Sequence, residues 1–255
     1  MNEIEELIKL YSEEGKHTQY QILPTRLQKY FGNRIDTHSR YESERLTYIL
    51  DKIDVNSKTI LDIGGNTGYF SFELLSHGAK SIDYYEGNKN HAKFTYLASK
   101  ILGEENKIVV TDEYYNFQEG NNKKYDVILL LNVLHHVGDD YGDNNLSLEN
   151  AKNEIIDSLQ KISTQTTFLV FQLGFNWKGN RNLCLFEKGT KKEMLDFIQS
   201  GVKGYWDIIN IGIPVKYSGK IIYTDLDDTN IQRNDELGEF LNRPLIIMKS
   251  KANYK

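Results

Sequence analysis

The segment from Thr59 to Phe70, TILDIGGNTGYF, constrains the fold of this chain more than any other feature. Its β-branched residues predict a short strand, and Gly64, Gly65 and Gly68 follow it. Apolar residues with helical spacing come next, so a helix should begin there. A strand, a glycine turn and a helix start together aim backbone N–H groups at a ligand. We therefore expect an α/β fold whose first strand carries a binding turn.

An acidic residue stands where a ribose-binding carboxylate is expected after such a turn. Glu86 lies 22 residues after Gly64, at the end of a second predicted strand. A carboxylate in that place can accept hydrogen bonds from both hydroxyls of a ribose. The chain is therefore expected to bind a cofactor that contains a nucleoside.

The sequence of the turn argues against cofactors that contain a pyrophosphate. A dinucleotide fingerprint needs glycine at its second and third positions. Counting from Gly64, Asn66 and Tyr69 occupy these positions. No Gly-Lys-Ser/Thr follows, so a P-loop is excluded as well. The remaining alternative to nucleoside binding is a structural glycine turn in another kind of α/β protein.

The pattern that remains is D-x-G-x-N-x-G, formed by Asp62, Gly64, Asn66 and Gly68. It resembles the first motif of class I S-adenosylmethionine (SAM)-dependent methyltransferases. The resemblance implies a Rossmann-like sheet that is mostly parallel with an antiparallel last strand. It also implies SAM as cofactor and S-adenosylhomocysteine (SAH) as product. SAM has no phosphates, and its sulfonium tolerates a carboxylate such as that of Asp62.

Alternating strand and helix patterns fill the rest of the chain and predict a mostly parallel sheet with helices on both faces. Residues 1–58 read as a helical cap or lid, with a second helix starting near Pro24 and a third capped by Ser39. Residues 59–255 form the SAM-binding domain, and the polar stretch at about 214–243 looks like an inserted loop or hairpin. Strands are expected at 59–63, 80–86, 107–111, 125–131, 166–173, 206–213 and 244–249, and helices at 68–77, 88–102, 147–161 and 190–200.

Composition sets limits on the class of protein. The 255 residues are 39% hydrophobic, which suffices for a full core. A net charge of −5 gives no general attraction to nucleic acid, so nucleic acid is not an expected partner. No apolar run reaches 18 residues, and the acidic N-terminus does not resemble a signal peptide, so we expect a cytoplasmic protein without a membrane span. The single cysteine, Cys184, is expected to be a small buried residue.

Polar residues follow the third and fourth strands. Asp112 can accept a hydrogen bond from an adenine amino group, although Glu113 is an alternative. Asn132, His135 and His136 stand in the sequence NVLHH, which is common in the class I family, and they are expected near the methyl donor. Either imidazole can exchange a proton near neutral pH. The alternative is that one histidine packs against the cofactor and the other caps a helix. No metal is expected.

The fifth strand is followed by QLGFNWKGNR. Within it, Trp177, Lys178 and Arg181 place two cations beside an aromatic ring, and such cations can bind an anionic substrate. A solvated loop is an equally good reading of the same residues. Lys191 and Lys192, at the start of the next predicted helix, suggest an anion in the same region because cations are unfavourable at a helix N-terminus.

A closer resemblance extends from about residue 22 to the end of the last strand. The segments LPTRLQKYFG (23–32), HSRYESERL (38–46) and NVLHHVGDDYG (132–142) resemble the methyltransferase domain of bacterial O-antigen chain-terminating methyltransferase/kinase proteins. This resemblance implies that Arg40 pairs with the cofactor carboxylate and that Gln28 belongs to a lid over the cofactor. It also implies an anionic acceptor. The turn filling Gly65-Asn66-Thr67 departs from that family.

The sequence thus predicts a SAM-dependent O-methyltransferase. Its acceptor is expected to be a small or glycan-linked molecule with a phosphate-like or sugar group, in the biosynthesis of a bacterial surface polysaccharide. Two alternatives remain open, an RNA-modifying methyltransferase and a non-catalytic SAM-binding regulatory subunit. The sequence does not indicate an oligomeric state.

Overall fold

The computed structural model describes residues 2–13, 18, 20–32, 34–35, 37–120 and 122–252. The chain forms two compact units, Met1–Tyr115 and Asn116–Lys255. The sequence-based division into a cap and a methyltransferase domain stays a prediction.

The first unit contains three parallel strands in the order β3-β2-β1. Ile63 at the end of β1 lies opposite Tyr85 of β2, which lies opposite Thr111 of β3. The carboxyl ends of the three strands therefore meet at one edge, where Rossmann-like sheets bind ligands. The elements are α1 (Glu3–Ser12), α2 (Thr25–Phe31), α3 (Glu42–Lys52), β1 (Thr59–Ile63), α4 (Tyr69–Ser76), β2 (Ser81–Tyr85), α5 (Lys89–Leu102) and β3 (Ile108–Thr111).

The N-terminal helices share a hydrophobic core with α5. Leu7 and Tyr11 of α1 and Leu27 of α2 are buried against Phe94 of α5. The helix α1 begins where the side chain of Asn2 accepts a hydrogen bond from the backbone N–H of Ile4. Burial of this apolar face stabilises the short helices, which would be marginal alone in water. The expected helical character of this region is confirmed, but Ser39 does not cap α3: the helix begins at Glu42 after Tyr41, and the Ser39 hydroxyl accepts the N–H of Tyr41 instead.

The second unit contains five strands in the order β4-β5-β8-β6-β7. The strands β4 and β5 are parallel, whereas β8, β6 and β7 each pair in antiparallel fashion. The predicted class, an α/β fold with parallel strands and an antiparallel last strand, is confirmed. The elements are β4 (Tyr125–Leu131), α6 (Leu148–Ile162), β5 (Thr166–Gln172), α7 (Lys191–Val202), β6 (Trp206–Tyr217), β7 (Lys220–Asp225) and β8 (Leu245–Ser250).

The stretch 214–243 begins as a hairpin and continues as a loop that contains two short 3-10 helices, Asp235–Leu237 and Phe240–Asn242. The strand β6 runs past its predicted end at residue 213 to Tyr217, and β7 pairs back on it. Pro214 fits inside β6 because Gly212 is the last residue opposite β8, so Pro214 faces only β7. A proline is tolerated in a strand where one side needs no hydrogen bond.

One prediction about composition is wrong. Cys184 is exposed, because it lies in the exposed stretch 179–184 that follows β5 and is not packed in the core. Among the described residues, none of the helices combines the length and the apolar character that crossing a bilayer requires.

Candidate functional site

The glycine turn after β1 has a backbone that requires its glycines. Gly64 and Gly68 have φ values of 70° and 77°, a region that side chains of L-residues rarely adopt. Asn66 also has a positive φ, 56°, which asparagine tolerates better than most residues. The N–H of Gly64 donates to the carbonyl of Tyr85 at 2.8 Å, so the turn begins bound to the end of β2.

Gly65 is required for a different reason, the close approach of β2. A Cβ atom at Gly65 would lie 2.2 Å from Cε2 of Tyr84 and 2.9 Å from Oδ2 of Asp62. The hydroxyl of Tyr84 donates to the carbonyl of Asn66. The ring of Tyr84 therefore packs against the turn and fixes the position of the turn on the sheet.

Glu86 joins the turn to the start of α5. Its Oε2 accepts the N–H of Asn66, and its Oε1 accepts the N–H of Asn88, both at 2.8 Å. A carboxylate oxygen has two lone pairs and can accept hydrogen bonds from more than one donor. Glu86 thus has the chemistry that a ribose diol needs. Asp112 is exposed and directly follows Thr111, whose carbonyl accepts the N–H of Glu86 at 3.1 Å.

Asp62 is buried beneath the turn. Its Oδ2 accepts a hydrogen bond from the hydroxyl of Ser71 at 2.7 Å, which links β1 to α4. Burial raises the pKa of Asp62 to about 6, although the Ser71 hydrogen bond acts in the opposite direction. Its assignment to the cofactor stays a prediction.

Gln28, which the resemblance assigns to a lid, and Arg40, which it pairs with the cofactor carboxylate, make local contacts. Gln28 donates from Nε2 to the carbonyl of Leu23 at 3.1 Å. The guanidinium of Arg40 lies 4.2 Å from the ring centre of Tyr20. The N–H of Arg40 donates at 2.8 Å to Oε2 of Glu42, a fully buried carboxylate. These contacts fix both residues, and their roles toward the cofactor stay predictions.

The sequence analysis missed Gln21. Its Oε1 accepts hydrogen bonds from the N–H of Tyr69 at 3.0 Å and from the hydroxyl of Thr67 at 3.3 Å. Its backbone carbonyl accepts a hydrogen bond from the hydroxyl of Tyr11. Gln21 therefore fastens the N-terminal region to the start of α4. No local pattern could have shown this, because the partners on the turn are 46 and 48 residues away.

In the second unit, Asn132 directly follows β4 in a left-handed conformation, with φ 61°. Its N–H donates to the carbonyl of Gln172 at 2.8 Å, and its Nδ2 donates to Oε1 of the same residue at 2.9 Å. Its Oδ1 accepts a hydrogen bond from the NH1 group of Arg243 at 2.8 Å. The orientation of the Asn132 amide is thus completely specified.

The two histidines have different surroundings. Nδ1 of His135 lies 3.3 Å from the N–H of Gly174 and accepts it, which assigns the hydrogen of a neutral ring to Nε2. Nδ1 of His136 instead faces two carboxylates, at 3.3 Å from Oδ2 of Asp140 and 3.8 Å from Oδ2 of Asp139. The ring centres of the histidines are 4.3 Å apart. A carboxylate beside one ring nitrogen can orient an imidazole that acts as a base through the other.

Within the part of the chain that the structure describes, His136, Asp139 and Asp140 could hold a divalent ion. Each offers one ligand atom, and these atoms lie within 4.8 Å of one another. Imidazole and carboxylate donors suit several divalent metals. Exposed acidic groups commonly take such an arrangement without a metal. The expectation that none is needed stays a prediction.

In the loop after β5, two of the three predicted substrate residues contact residues 136–144, the His136 segment. Trp177 is buried and donates from Nε1 to the carbonyl of Val137 at 2.7 Å. Nζ of Lys178 lies 4.6 Å from the centre of the Trp177 ring and donates to the carbonyl of Asn144 at 3.1 Å. Arg181 lies farther along in an exposed stretch.

The two lysines at the start of α7 are explained without a bound anion. Lys191 is buried and donates to the carbonyls of Asn230 and Gln232, at 2.9 and 2.7 Å. Lys192 pairs with Asp196 one turn along the same helix. The hint of an anion drawn from these lysines is therefore withdrawn.

Comparisons with known proteins agree with the fold. Residues 35–170 match the family model described as a methyltransferase domain. A tRNA U34 carboxymethyltransferase of Helicobacter pylori (strain G27) is 31% identical over 83 residues, which are 32% of this chain and 32% of that protein. The match thus spans about a third of the length of this curated relative.

Two solved structures show the same fold at low sequence identity. The bifunctional kinase-methyltransferase WbdD has a TM-score of 0.57 and 15% identity, covering 96% of this chain and 46% of that chain. The magnesium protoporphyrin IX methyltransferase ChlM from Synechocystis PCC 6803, with bound SAM, has a TM-score of 0.51 and 12% identity. It covers 98% of this chain and 92% of that chain. At these identities the likeness concerns the fold alone.

Proposed function

The chain belongs to the methyltransferase domain family, and on this premise we propose that it methylates an oxygen of a phosphate-like or sugar acceptor in the biosynthesis of a bacterial surface polysaccharide. The family uses SAM as methyl donor. The observation that carries the cofactor assignment is the contact between Glu86 and the N–H of Asn66, which places an acidic acceptor directly against the glycine turn.

The residues of the first unit fit the cofactor. Glu86 would accept the ribose hydroxyls, and Asp112 would accept from the adenine amino group. The glycine turn would cover the amino-acid end, with Arg40 pairing with its carboxylate and Gln28 contributing to a lid. Asn66 and Tyr69 stand where a pyrophosphate would need glycine, so the turn suits a phosphate-free nucleoside.

The reaction needs alignment and exclusion of water more than it needs a strong base. SAM supplies an electrophilic methyl group when bound. The task of the chain is to orient an acceptor oxygen in line with that group and to keep water away. Trp177, which is buried beside the His136 segment, would contribute an apolar wall to the acceptor position.

The state of the acceptor decides the role of the histidines. A hydroxyl must lose a proton, and Nε2 of His136 would accept it, because Nδ1 of that ring faces Asp140. His135, whose Nδ1 accepts from Gly174, would orient the acceptor through its Nε2–H. A phosphate is already anionic near neutral pH, so it needs no base, and Lys178 and Arg181 would then contribute more.

Methyl transfer from labelled SAM to matched oligosaccharides, with and without a terminal phosphate, tests the acceptor class. Transfer to the phosphorylated form with a rate independent of pH between 6 and 8 would support a phosphate-like acceptor. Transfer to the unphosphorylated form, with a base required near pH 6–7, would support a sugar hydroxyl. Binding of SAH without transfer to either form would favour a non-catalytic SAM-binding subunit.

The cofactor assignment is tested by calorimetric titration of SAH into the wild-type protein and the Glu86→Ala variant. The loss of charged hydrogen bonds should weaken binding by about 1–3 kcal/mol, or about 5- to 150-fold. The Glu105→Ala variant removes an exposed carboxylate elsewhere in the same unit and should bind normally. Equal affinity of the Glu86→Ala variant and the wild type would refute the ribose assignment.

A second candidate, RNA modification, is favoured by one observation, the name of the curated relatives. That match covers 32% of this chain, so the substrate of the relatives does not transfer with it. The two candidates differ in the charge of the surface that they need, and this difference is tested below.

A further inference from the structure

The stretch 226–243, between β7 and β8, has a polar composition typical of a surface insertion. Its final residues nevertheless reach the carboxyl ends of β4 and β5, where the candidate site residues of the second unit lie. The contacts are made by Glu239 and Arg243.

Arg243 makes a bidentate ion pair and a third hydrogen bond at once. Its Nε and NH2 groups donate to Oε1 and Oε2 of Glu239 at 2.9 and 2.5 Å. Its NH1 group donates to Oδ1 of Asn132 at 2.8 Å. Burial would raise the pKa of Glu239, but the hydrogen bond and charge of Arg243 hold it below its ordinary value. A planar guanidinium with two fixed partners presents its third N–H in one direction only.

A closed ring of hydrogen bonds surrounds Asn132. Its Nδ2 donates to Oε1 of Gln172, and Nε2 of Gln172 donates at 3.1 Å to the backbone carbonyl of Arg243. A left-handed conformation outside glycine costs on the order of 1 kcal/mol and persists where surrounding contacts determine it. In this protein the ring of hydrogen bonds holds Asn132 in the left-handed conformation.

The same ion pair also holds the loop after β5. Oε1 of Glu239 accepts the N–H of Phe175 at 3.0 Å, two residues before Trp177. One carboxylate therefore joins the start of the predicted substrate loop to the guanidinium that orients Asn132.

The stretch itself is firmly anchored. The buried ammonium of Lys191 binds the carbonyls of Asn230 and Gln232. The side chain of Asn242, which is fully buried, donates to the carbonyls of Asn234 and Gly238 at 2.7 and 2.8 Å. A stretch with these buried polar contacts has a defined conformation and can position other residues.

We propose that Glu239 and Arg243 are positioning residues, which set the amide of Asn132 for the cofactor and the loop at Phe175 for the acceptor. This inference rests on the proposed function, because the sequence analysis expects Asn132 near the methyl donor. It gives the stretch 226–243 a role as a part of the site.

The test measures SAH affinity by calorimetry in a double-mutant cycle between Arg243→Met and Asn132→Ala. Arg243→Met should weaken SAH binding by about fivefold or more, since one charge-assisted hydrogen bond to Asn132 is lost. In the Asn132→Ala background the same substitution should have little further effect. A purely structural role would lower the melting temperature without this coupling.

Arg34→Met is the matched control, because it removes an exposed arginine–glutamate pair, with Glu5, in the first unit. It should bind SAH like the wild type. Where Arg243→Met does not fold, Glu239→Gln, which keeps the shape of the side chain, replaces it and should show a smaller loss with the same coupling. Wild-type affinity in the variants, or equal losses in both backgrounds, would overturn the inference. Absence of SAH binding by the wild-type protein would instead overturn the proposed function.

Discussion

At the scale of single residues, Asp62 is a carboxyl group in an unfavourable place. Burial raises its pKa to about 6, whereas an unfolded aspartate has a pKa of about 3.9. A raised pKa contributes stability that is fully present below about pH 4 and is lost as the pH rises through about 6. The charged form of Asp62 is therefore destabilising at neutral pH.

We predict that Asp62→Asn removes this pH dependence. Relative to the wild type, the free energy of unfolding of the variant should increase by about 2–3 kcal/mol between pH 4 and pH 7. Urea unfolding at several pH values measures the difference. Asp228→Asn, at an exposed position, is the control and should leave the pH profile unchanged. A constant difference between Asp62→Asn and the wild type would show that the carboxyl is not perturbed.

Gly65 gives a second prediction at this scale. The methyl group added in the Gly65→Ala variant would overlap the ring of Tyr84, and the turn could avoid this overlap only by moving away from β2. Overpacking of this kind costs about 1–3 kcal/mol, and we expect weaker SAH binding as well. Gly103→Ala is the contrast, since nothing lies within 4 Å of a Cβ there and only its positive φ opposes the change. It should be destabilised without any loss of SAH affinity.

The glycine turn could be predicted from the sequence, and Gln21 could not. Gly64, Gly68 and Glu86 are related by short spacings that follow from a strand–turn–helix unit. Gln21 is positioned by the packing of the N-terminal helices on α5, which local spacing does not encode. The exposed position of Cys184 has the same origin, because the path of a loop depends on its tertiary contacts.

At the scale of elements, every strand and helix predicted from residue 59 onward exists, mostly within two residues of its predicted ends. Buried strands and amphipathic helices carry strong periodic signals. The strand that was not predicted is β7, which lies at an edge of the sheet and alternates between exposed and half-buried residues. From the sequence, its pairing with β6 could be predicted only as a possible hairpin, because Pro214 marks either a boundary or an edge strand.

The anchoring of the stretch 226–243 gives a prediction at the same scale. Lys191→Met should leave the carbonyls of Asn230 and Gln232 without their buried donor, which costs about 1–3 kcal/mol. Amide hydrogen exchange in residues 226–233 should become faster, while exchange in β4 and β5 changes little. Lys192→Met removes the neighbouring exposed lysine and is the matched control. Equal exchange in the two variants would mean that Lys191 does not anchor the stretch.

At the scale of the whole molecule, net charge separates the two candidate functions. The chain carries 36 acidic and 31 basic side chains, apart from histidine, and so repels a polyanion at long range. A protein that binds tRNA must instead neutralise several phosphates with lysine and arginine, and its affinity falls steeply with salt. A glycan acceptor with a single phosphate needs only a local pair of cations, such as Lys178 and Arg181.

We therefore predict that labelled tRNA binds at the weak end of the range of non-specific complexes, with a Kd of about 10⁻⁴ M or weaker near physiological salt. Fluorescence anisotropy at 50 and 200 mM salt measures both the affinity and its salt dependence. SAH should be present at saturation, so that the cofactor-bound form is the one tested. A micromolar Kd that weakens steeply with salt, together with methyl transfer to the tRNA, would reverse the order of the two candidates. Because a single glycan phosphate releases few counterions, its binding should change only slightly over the same salt range.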